Sequence, residues 1–85
     1  DHRTLALMGR VKREMGQTAE AIEWFAKALE AEPDSAELHN QIGVSRMELG
    51  EMEEARASFE KAISIAPSAL RIYTNLANAK KFSLD

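Results

Sequence analysis

Small and apolar residues recur along this chain at spacings of three and four, and the whole pattern then recurs. The segments 18–31 and 52–65 show it best, because their apolar positions coincide after an offset of 34 residues. The coinciding pairs are Ala21 and Ala55, Phe25 and Phe59, Ala28 and Ala62, and Leu29 and Ile63. Spacings of three and four mark one face of an α-helix. A fixed period of this length is typical of repeat proteins.

Glycines and prolines keep the same offset and divide the chain into five predicted helices. Gly16 and Gly50 end helices at positions suited to a left-handed residue, and Pro33 and Pro67 stop the helices before them. The predicted helices cover about 4–15, 18–31, 36–49, 52–65 and 69–82. Thr18 is predicted to cap the second helix. Asp34 is predicted to cap the third, with Glu37 completing a capping box.

The first, third and fifth helices also repeat, with Gly9, Gly43 and Ala77 at equivalent positions. A residue this small allows two helix backbones to approach closely within a pair. Long cations recur in the same way at Lys12, Arg46 and Lys80, where their aliphatic stems are expected to cover apolar surface while the charged ends reach water.

Together, the period, the small residues, the turn glycines and the terminal prolines resemble tetratricopeptide repeats. That resemblance implies an all-α fold in which antiparallel helix pairs stack into a right-handed α-solenoid. It divides one domain, residues 1–85, into a repeat at about 2–35, a second at about 36–69 and a closing helix at about 70–85. The cations at the three repeated positions depart from the aromatic residue that is usual in the family. Because the closing helix has no second helix, we expect either a longer chain or contact with another copy.

Composition and charge argue against some classes of function but do not identify the function itself. The chain has no cysteine, so neither a disulfide nor a thiolate site is expected. Its formal net charge of −3 argues against nucleic acid as a partner. No apolar run approaches the roughly 20 residues that span a bilayer, so membrane insertion is not expected. A soluble, cytoplasmic protein is the default expectation, although the compartment stays undetermined. The predicted first helices of each pair carry a net charge of +5, whereas the second helices carry −3.

In the family that the chain resembles, the first helices line a concave binding surface. The resemblance therefore implies a scaffold for protein–protein interaction, and helical phase selects the side chains opposite the packed face. We predict a groove for an acidic segment or a free C-terminus, with Val44 and Met47 as its apolar floor. The alternative is that these residues form ordinary solvated helix faces. The predicted peptide-binding residues are Arg3, Arg10, Arg13, Asn40, Gln41, Val44, Met47, Arg71, Asn75 and Asn78.

Some relatives capture the C-terminal carboxylate of heat-shock chaperones, with Lys and Asn on the first helix, Asn on the third, and Lys and Arg on the fifth. The matching positions here are Ala6, Arg10, Gln41, Arg71 and Asn75. Ala6 and Asn75 lack the required charge. That clamp is therefore predicted to be absent, and a chaperone co-factor is not expected.

Nothing in the sequence indicates an enzyme, and no catalytic residue, cofactor or metal site is predicted. His39 occupies the position of Leu5 and Tyr73 in the other repeats, which favours a packing role over a base or ligand.

Two alternatives to a peptide-binding scaffold remain open. The fifth helix could support self-association into a homo-oligomer through its apolar side. The tail 79–85 also faintly resembles the exit from the repeats of some bacterial sulfotransferases, in which case this would be the N-terminal repeat region of a larger enzyme.

Overall fold

The computed structural model describes residues 1–83 of the chain and shows five α-helices, with no β-strand in that range. They are α1 (His2–Glu14), α2 (Thr18–Ala31), α3 (Ala36–Glu48), α4 (Met52–Ile65) and α5 (Leu70–Ser83). The all-α prediction and the five predicted helices are confirmed. The last two positions of the predicted closing helix, Leu84 and Asp85, lie outside the described residues.

Helix starts correct two details of the sequence prediction. The cap of α3 is Ser35, whose hydroxyl oxygen accepts the backbone N–H of Leu38 at 3.1 Å, and not Asp34. Glu37 is therefore one position too early for a capping box. Gln17 precedes α2, so Thr18 is its first helical residue and not its cap. Serine and aspartate are nearly equivalent caps, and neighbouring candidates cannot be separated by residue type alone.

The two turns within the helix pairs have the same hydrogen-bonded geometry. Gly16 and Gly50 have φ values of 84° and 81°, a conformation that residues with a Cβ rarely adopt. The N–H of each glycine donates to a carbonyl three residues earlier, and the next N–H donates five residues back, to Lys12 or Arg46, at 2.9 Å. This is a Schellman motif, which satisfies carbonyls that the helix end leaves unpaired.

The two helices of each pair pack closely at a point where a glycine of the first helix faces a phenylalanine ring of the second. A Cβ added at Gly9 would lie 2.6 Å from the ring of Phe25, and one added at Gly43 would lie 2.5 Å from the ring of Phe59. Both rings are fully buried. The small residues therefore allow α1 to pack on α2, and α3 on α4, at a distance that any larger side chain would prevent.

Two apolar clusters hold the stack together, and α3 contributes to both. In the first cluster, Leu38 and Ile42 of α3 join Phe25 and the buried alanines of α2. In the second, α4 packs around Phe59 against Ile72 of α5. Because each second helix packs on both neighbouring first helices, α1, α3 and α5 lie side by side on one face. The opposite face is formed by α2 and α4.

Candidate peptide-binding face

A line of hydrogen-bonded polar side chains crosses the face formed by α1, α3 and α5, which we call the groove face. Arg13 of α1 donates from Nη1 to Oε1 of Gln41 on α3 at 2.6 Å. Gln41 in turn donates from Nε2 to Oε2 of Glu37 at 2.8 Å. Arg71 of α5 donates from Nη2 to the other oxygen of Glu37 at 2.6 Å. One continuous set of contacts thus joins the three helices.

A second contact between α3 and α5 lies beside this line. Asn75 donates from Nδ2 to Oδ1 of Asn40 at 2.9 Å. Asn40 is only 3% exposed, so its amide lies within the interface between the helices. Asn40 and Asn75 were both predicted to contact a peptide, and in this structure they contact each other.

Three other predicted residues have free side chains on this side of the molecule. The guanidinium groups of Arg3 and Arg10 are exposed and form no ion pair among the described residues. The amide of Asn78 on α5 is also exposed. These side chains are available to a ligand without the loss of an internal contact.

Val44 and Met47, the predicted apolar floor, are half-buried and pack against the cluster around Phe59. Ala6 likewise packs against the first cluster. Small and apolar side chains at the border of a helix face are drawn toward the nearest apolar surface. Contact of Val44 and Met47 with a peptide stays a prediction.

The charge of the groove face is less positive than the sum over its helices indicates. The ammonium of Lys12 lies 3.6 Å from Glu20, and the guanidinium of Arg46 lies 2.7 Å from Glu51. Both cations thus reach across the turn to the start of the following helix, away from the line through Gln41. Glu37 also pairs with Arg71, so the guanidinium groups without a carboxylate partner among the described residues are those of Arg3, Arg10 and Arg13 on α1.

The sequence prediction missed the role of Glu37. Arg3, Glu37 and Arg71 occupy the same position in successive repeats, so opposite charges stand 34 residues apart on neighbouring parallel helices. That spacing was the available signal, because equivalent positions on stacked repeats lie side by side. The sequence prediction gives Glu37 a capping role and no ion pair with Arg71.

The imidazole of His39 and the indole of Trp24 each have a contact within the protein. The Nε2 of His39 lies 3.2 Å from the carbonyl oxygen of Pro33, at the turn before α3. The ammonium of Lys27 lies 5.0 Å from the ring centre of Trp24 on α2. Across residues 1–83, no three potential ligands group together to hold a metal ion. No helix of that range combines the length and apolar character needed to cross a membrane.

Apolar side chains remain exposed on α5, where a following helix would pack in a longer array. Leu70 is 78% exposed and Tyr73 is 43% exposed. Self-association through this side, one of the alternatives drawn from the sequence, stays a prediction. The resemblance of the tail 79–85 to sulfotransferases also stays untested, and it extends beyond the described residues.

Comparison with known proteins agrees with this architecture. A family profile described as "Tetratricopeptide repeat" matches residues 7–69. Among solved structures, the chain is similar to the first and the second tetratricopeptide domains of Spaghetti (RPAP3), each bound to the HSP90 peptide SRMEEVD. Both have a TM-score of 0.92 and 20% sequence identity over 95% of this chain. The match spans 66% of the first neighbour and 75% of the second. The curated proteins contain no match.

The family profile covers most of the chain, and the similar structures share its arrangement of helix pairs. The glycine–phenylalanine contacts and the turns at Gly16 and Gly50 recur at an offset of 34 residues. The chain is therefore a member of the tetratricopeptide repeat family.

Proposed function

We propose that this chain is a protein-interaction module that binds an acidic peptide segment, or one with a free C-terminus, on its groove face. The observation that carries the proposal is the polar line from Arg13 through Gln41 and Glu37 to Arg71. It brings donors from three helices to one face and holds a carboxylate there, at present that of Glu37.

The exposed cations beside that line supply the attraction for acidic side chains. Arg3 and Arg10 present guanidinium groups that form no ion pair within the described part of the chain, each able to donate two parallel hydrogen bonds to one carboxylate. Asn78 offers an amide that can both donate to and accept from a peptide backbone. Positive charge of this kind also accelerates the encounter with an acidic ligand.

The similar structures support a peptide ligand in general. Both hold the peptide SRMEEVD, in which three of seven residues are acidic. At 20% identity this similarity concerns the fold, so the ligand of the neighbours is a guide to class only. Tetratricopeptide repeats are generally non-catalytic scaffolds, and we assign no catalytic role to this chain.

The detailed specificity should differ from that of a chaperone clamp. Ala6 offers no charge, and the amide of Asn75 already donates to Asn40. Arg10, Gln41 and Arg71 are the three clamp-equivalent positions able to contact a carboxylate here. We therefore expect SRMEEVD to bind weakly and mainly through its acidic character.

The test is fluorescence anisotropy with labelled SRMEEVD and two variants of it. One variant is amidated at the C-terminus, and the other is also neutral, with Gln and Asn in place of Glu and Asp. The protein is compared with its double variant Arg10→Glu/Arg71→Glu. A matched control, Lys27→Glu/Lys61→Glu, makes the same charge change on α2 and α4. Circular dichroism verifies that each variant stays folded.

We expect the acidic peptides to bind more tightly than the neutral one, and the groove variant alone to lose this preference. The difference between free and amidated SRMEEVD separates a C-terminal carboxylate from acidic side chains. Equal binding of acidic and neutral peptides would contradict the proposal. So would equal losses in the groove variant and the control, because the effect would then be one of net charge.

A further inference from the structure

Glu37 has both of its carboxylate oxygens engaged by groove-face donors. Oε1 accepts from Nη2 of Arg71 at 2.6 Å, and Oε2 accepts from Nε2 of Gln41 at 2.8 Å. The two donors lie on different helices, and Gln41 is itself oriented by the hydrogen bond from Arg13 at 2.6 Å. A guanidinium and an amide thus converge on one carboxylate between α3 and α5.

We propose that Glu37 is a built-in competitor that occupies the place of a ligand carboxylate. An acidic ligand displaces the Glu37 carboxylate from Arg71 and Gln41 and takes over its two donors. The inference rests on the proposed function, because it concerns how the same face receives an acidic peptide.

The geometry of Gln41 favours a carboxylate at this point. Its Oε1 faces the guanidinium of Arg13, which only donates, so its Nε2 must point the other way. That leaves an N–H donor beside Nη2 of Arg71, and two adjacent donors suit a group with two acceptor oxygens. Arg13 therefore orients the amide of Gln41 so that its N–H donor points toward the carboxylate of Glu37, and Arg13 itself does not contact that carboxylate.

The exposure of the pair makes exchange feasible. The side chain of Arg71 is 70% exposed and that of Glu37 is 52% exposed. Ion pairs this accessible to water contribute little to stability, so their exchange with a ligand carboxylate has a small net cost. Glu37 can turn toward solvent when it is displaced, because its side chain is not enclosed by the clusters around Phe25 and Phe59.

The number of carboxylates on a ligand determines how much it gains from that exchange. A ligand with a single carboxylate gains little, because it replaces one carboxylate on Arg71 with another. A ligand with two or more acidic groups also reaches Arg10 or Arg3, whose guanidinium groups have no partner among the described residues. Glu37 thus lowers the affinity of any ligand that uses Arg71, and peptides with several acidic residues offset that cost through Arg10 or Arg3.

The experiment is a double-mutant cycle on the full chain. Binding of labelled SRMEEVD is measured for the wild type, Glu37→Gln, Arg71→Met and the double variant. Glu30→Gln, an exposed glutamate on α2, serves as the charge-matched control. A second peptide that keeps only the C-terminal carboxylate, with Gln and Asn at its acidic residues, reports on single-carboxylate ligands.

Glu37→Gln is expected to bind SRMEEVD about twofold to fivefold more tightly, the range that an exposed ion pair corresponds to. The gain should vanish in the Arg71→Met background and should not appear with Glu30→Gln. The single-carboxylate peptide should improve by a similar factor, because removal of Glu37 relieves the same competition for every ligand that uses Arg71.

Two results would overturn the inference and leave the proposed function intact. Unchanged binding of the acidic peptide by Glu37→Gln would show that Arg71 recognises a ligand without release of Glu37. Weaker binding would show that Glu37 instead holds Arg71 in its binding position. If no variant prefers acidic to neutral peptides, the proposed function itself fails, and this inference with it.

Discussion

Gly43 lies directly against the ring of Phe59, so close that an added Cβ would stand 2.5 Å from Cε1. The same relationship joins Gly9 and Phe25 one repeat earlier, at 2.6 Å. In the third repeat the equivalent residue is Ala77, which is exposed because no described helix follows α5. One repeat position therefore has a strict size limit inside the stack and none at its end.

This contrast predicts that leucine is tolerated at one of the two equivalent positions and not at the other. Gly43→Leu should prevent stable folding of the second helix pair, because the fully buried ring of Phe59 has no space into which to move. Ala77→Leu should change the free energy of unfolding by less than about 0.5 kcal/mol, as is usual for surface sites. Urea denaturation followed by circular dichroism measures both. Equal destabilisation by the two variants would contradict the packing argument.

A buried hydroxyl on α3 predicts a stabilising substitution. Ser45 is 0% exposed, and its Oγ has no hydrogen-bond partner among the described residues. An unpaired buried polar group costs about 1–3 kcal/mol, and alanine is also the better helix former. Ser45→Ala should therefore raise the free energy of unfolding by about 1 kcal/mol or more.

The third repeat supplies the reciprocal control for that prediction. Ala79 stands at the position equivalent to Ser45 and is also fully buried. Ala79→Ser should destabilise the protein by a similar amount, as measured by the shift in melting temperature at fixed protein concentration. A destabilised Ser45→Ala variant would show that the hydroxyl is satisfied in solution, for example by a buried water.

The start of α3 predicts a difference between two adjacent residues. The hydroxyl of Ser35 accepts the N–H of Leu38, so Ser35→Ala should cost about 1 kcal/mol of stability. Asp34→Ala removes no capping hydrogen bond and should have a clearly smaller effect. Thermal melts of the two variants distinguish them. A larger loss for Asp34→Ala would restore the cap that the sequence alone suggested.

The ion pair at the second turn predicts a salt-dependent effect. Arg46 and Glu51 are joined at 2.7 Å with both side chains partly exposed, so Glu51→Gln should cost less than about 1 kcal/mol. Arg46→Met removes the charge but keeps an unbranched apolar stem, and should behave similarly. Both losses should shrink in 1 M NaCl, where exposed charges are screened. A loss that persists undiminished at high salt would contradict a screened, partly exposed ion pair as its cause.

The sequence by itself determined the helices and the pairing within each repeat. Gly16 and Gly50, the buried Phe25 and Phe59, and the glycines facing those rings all follow from one 34-residue pattern. They are predictable because they depend on local conformation and on size: a left-handed turn, a helical spacing and one close contact. Nothing about distant side chains is needed to specify them.

Contacts between repeats depended on the tertiary structure. Glu37 meets Arg71 at an offset of 34 residues, but Asn75 meets Asn40 at 35 and Gln41 meets Arg13 at 28. Sequence position restricts such partners without selecting among them, because the tilt of neighbouring helices and the rotamers of long side chains decide which atoms meet. For the same reason the sequence did not predict that Val44 and Met47 pack against the cluster around Phe59, or that Arg46 pairs with Glu51.

Some properties of the groove face could therefore be predicted from the sequence, and others depended on the tertiary structure. Its location on the first helices, and its candidate residues from Arg3 to Asn78, came from the repeat pattern and the family it resembles. Its actual charge was decided by the fold, because stacking placed the carboxylate of Glu37 between Arg71 and Gln41. A sum of charges along each helix cannot show this, since neutralisation depends on distances of a few ångströms between side chains of different repeats.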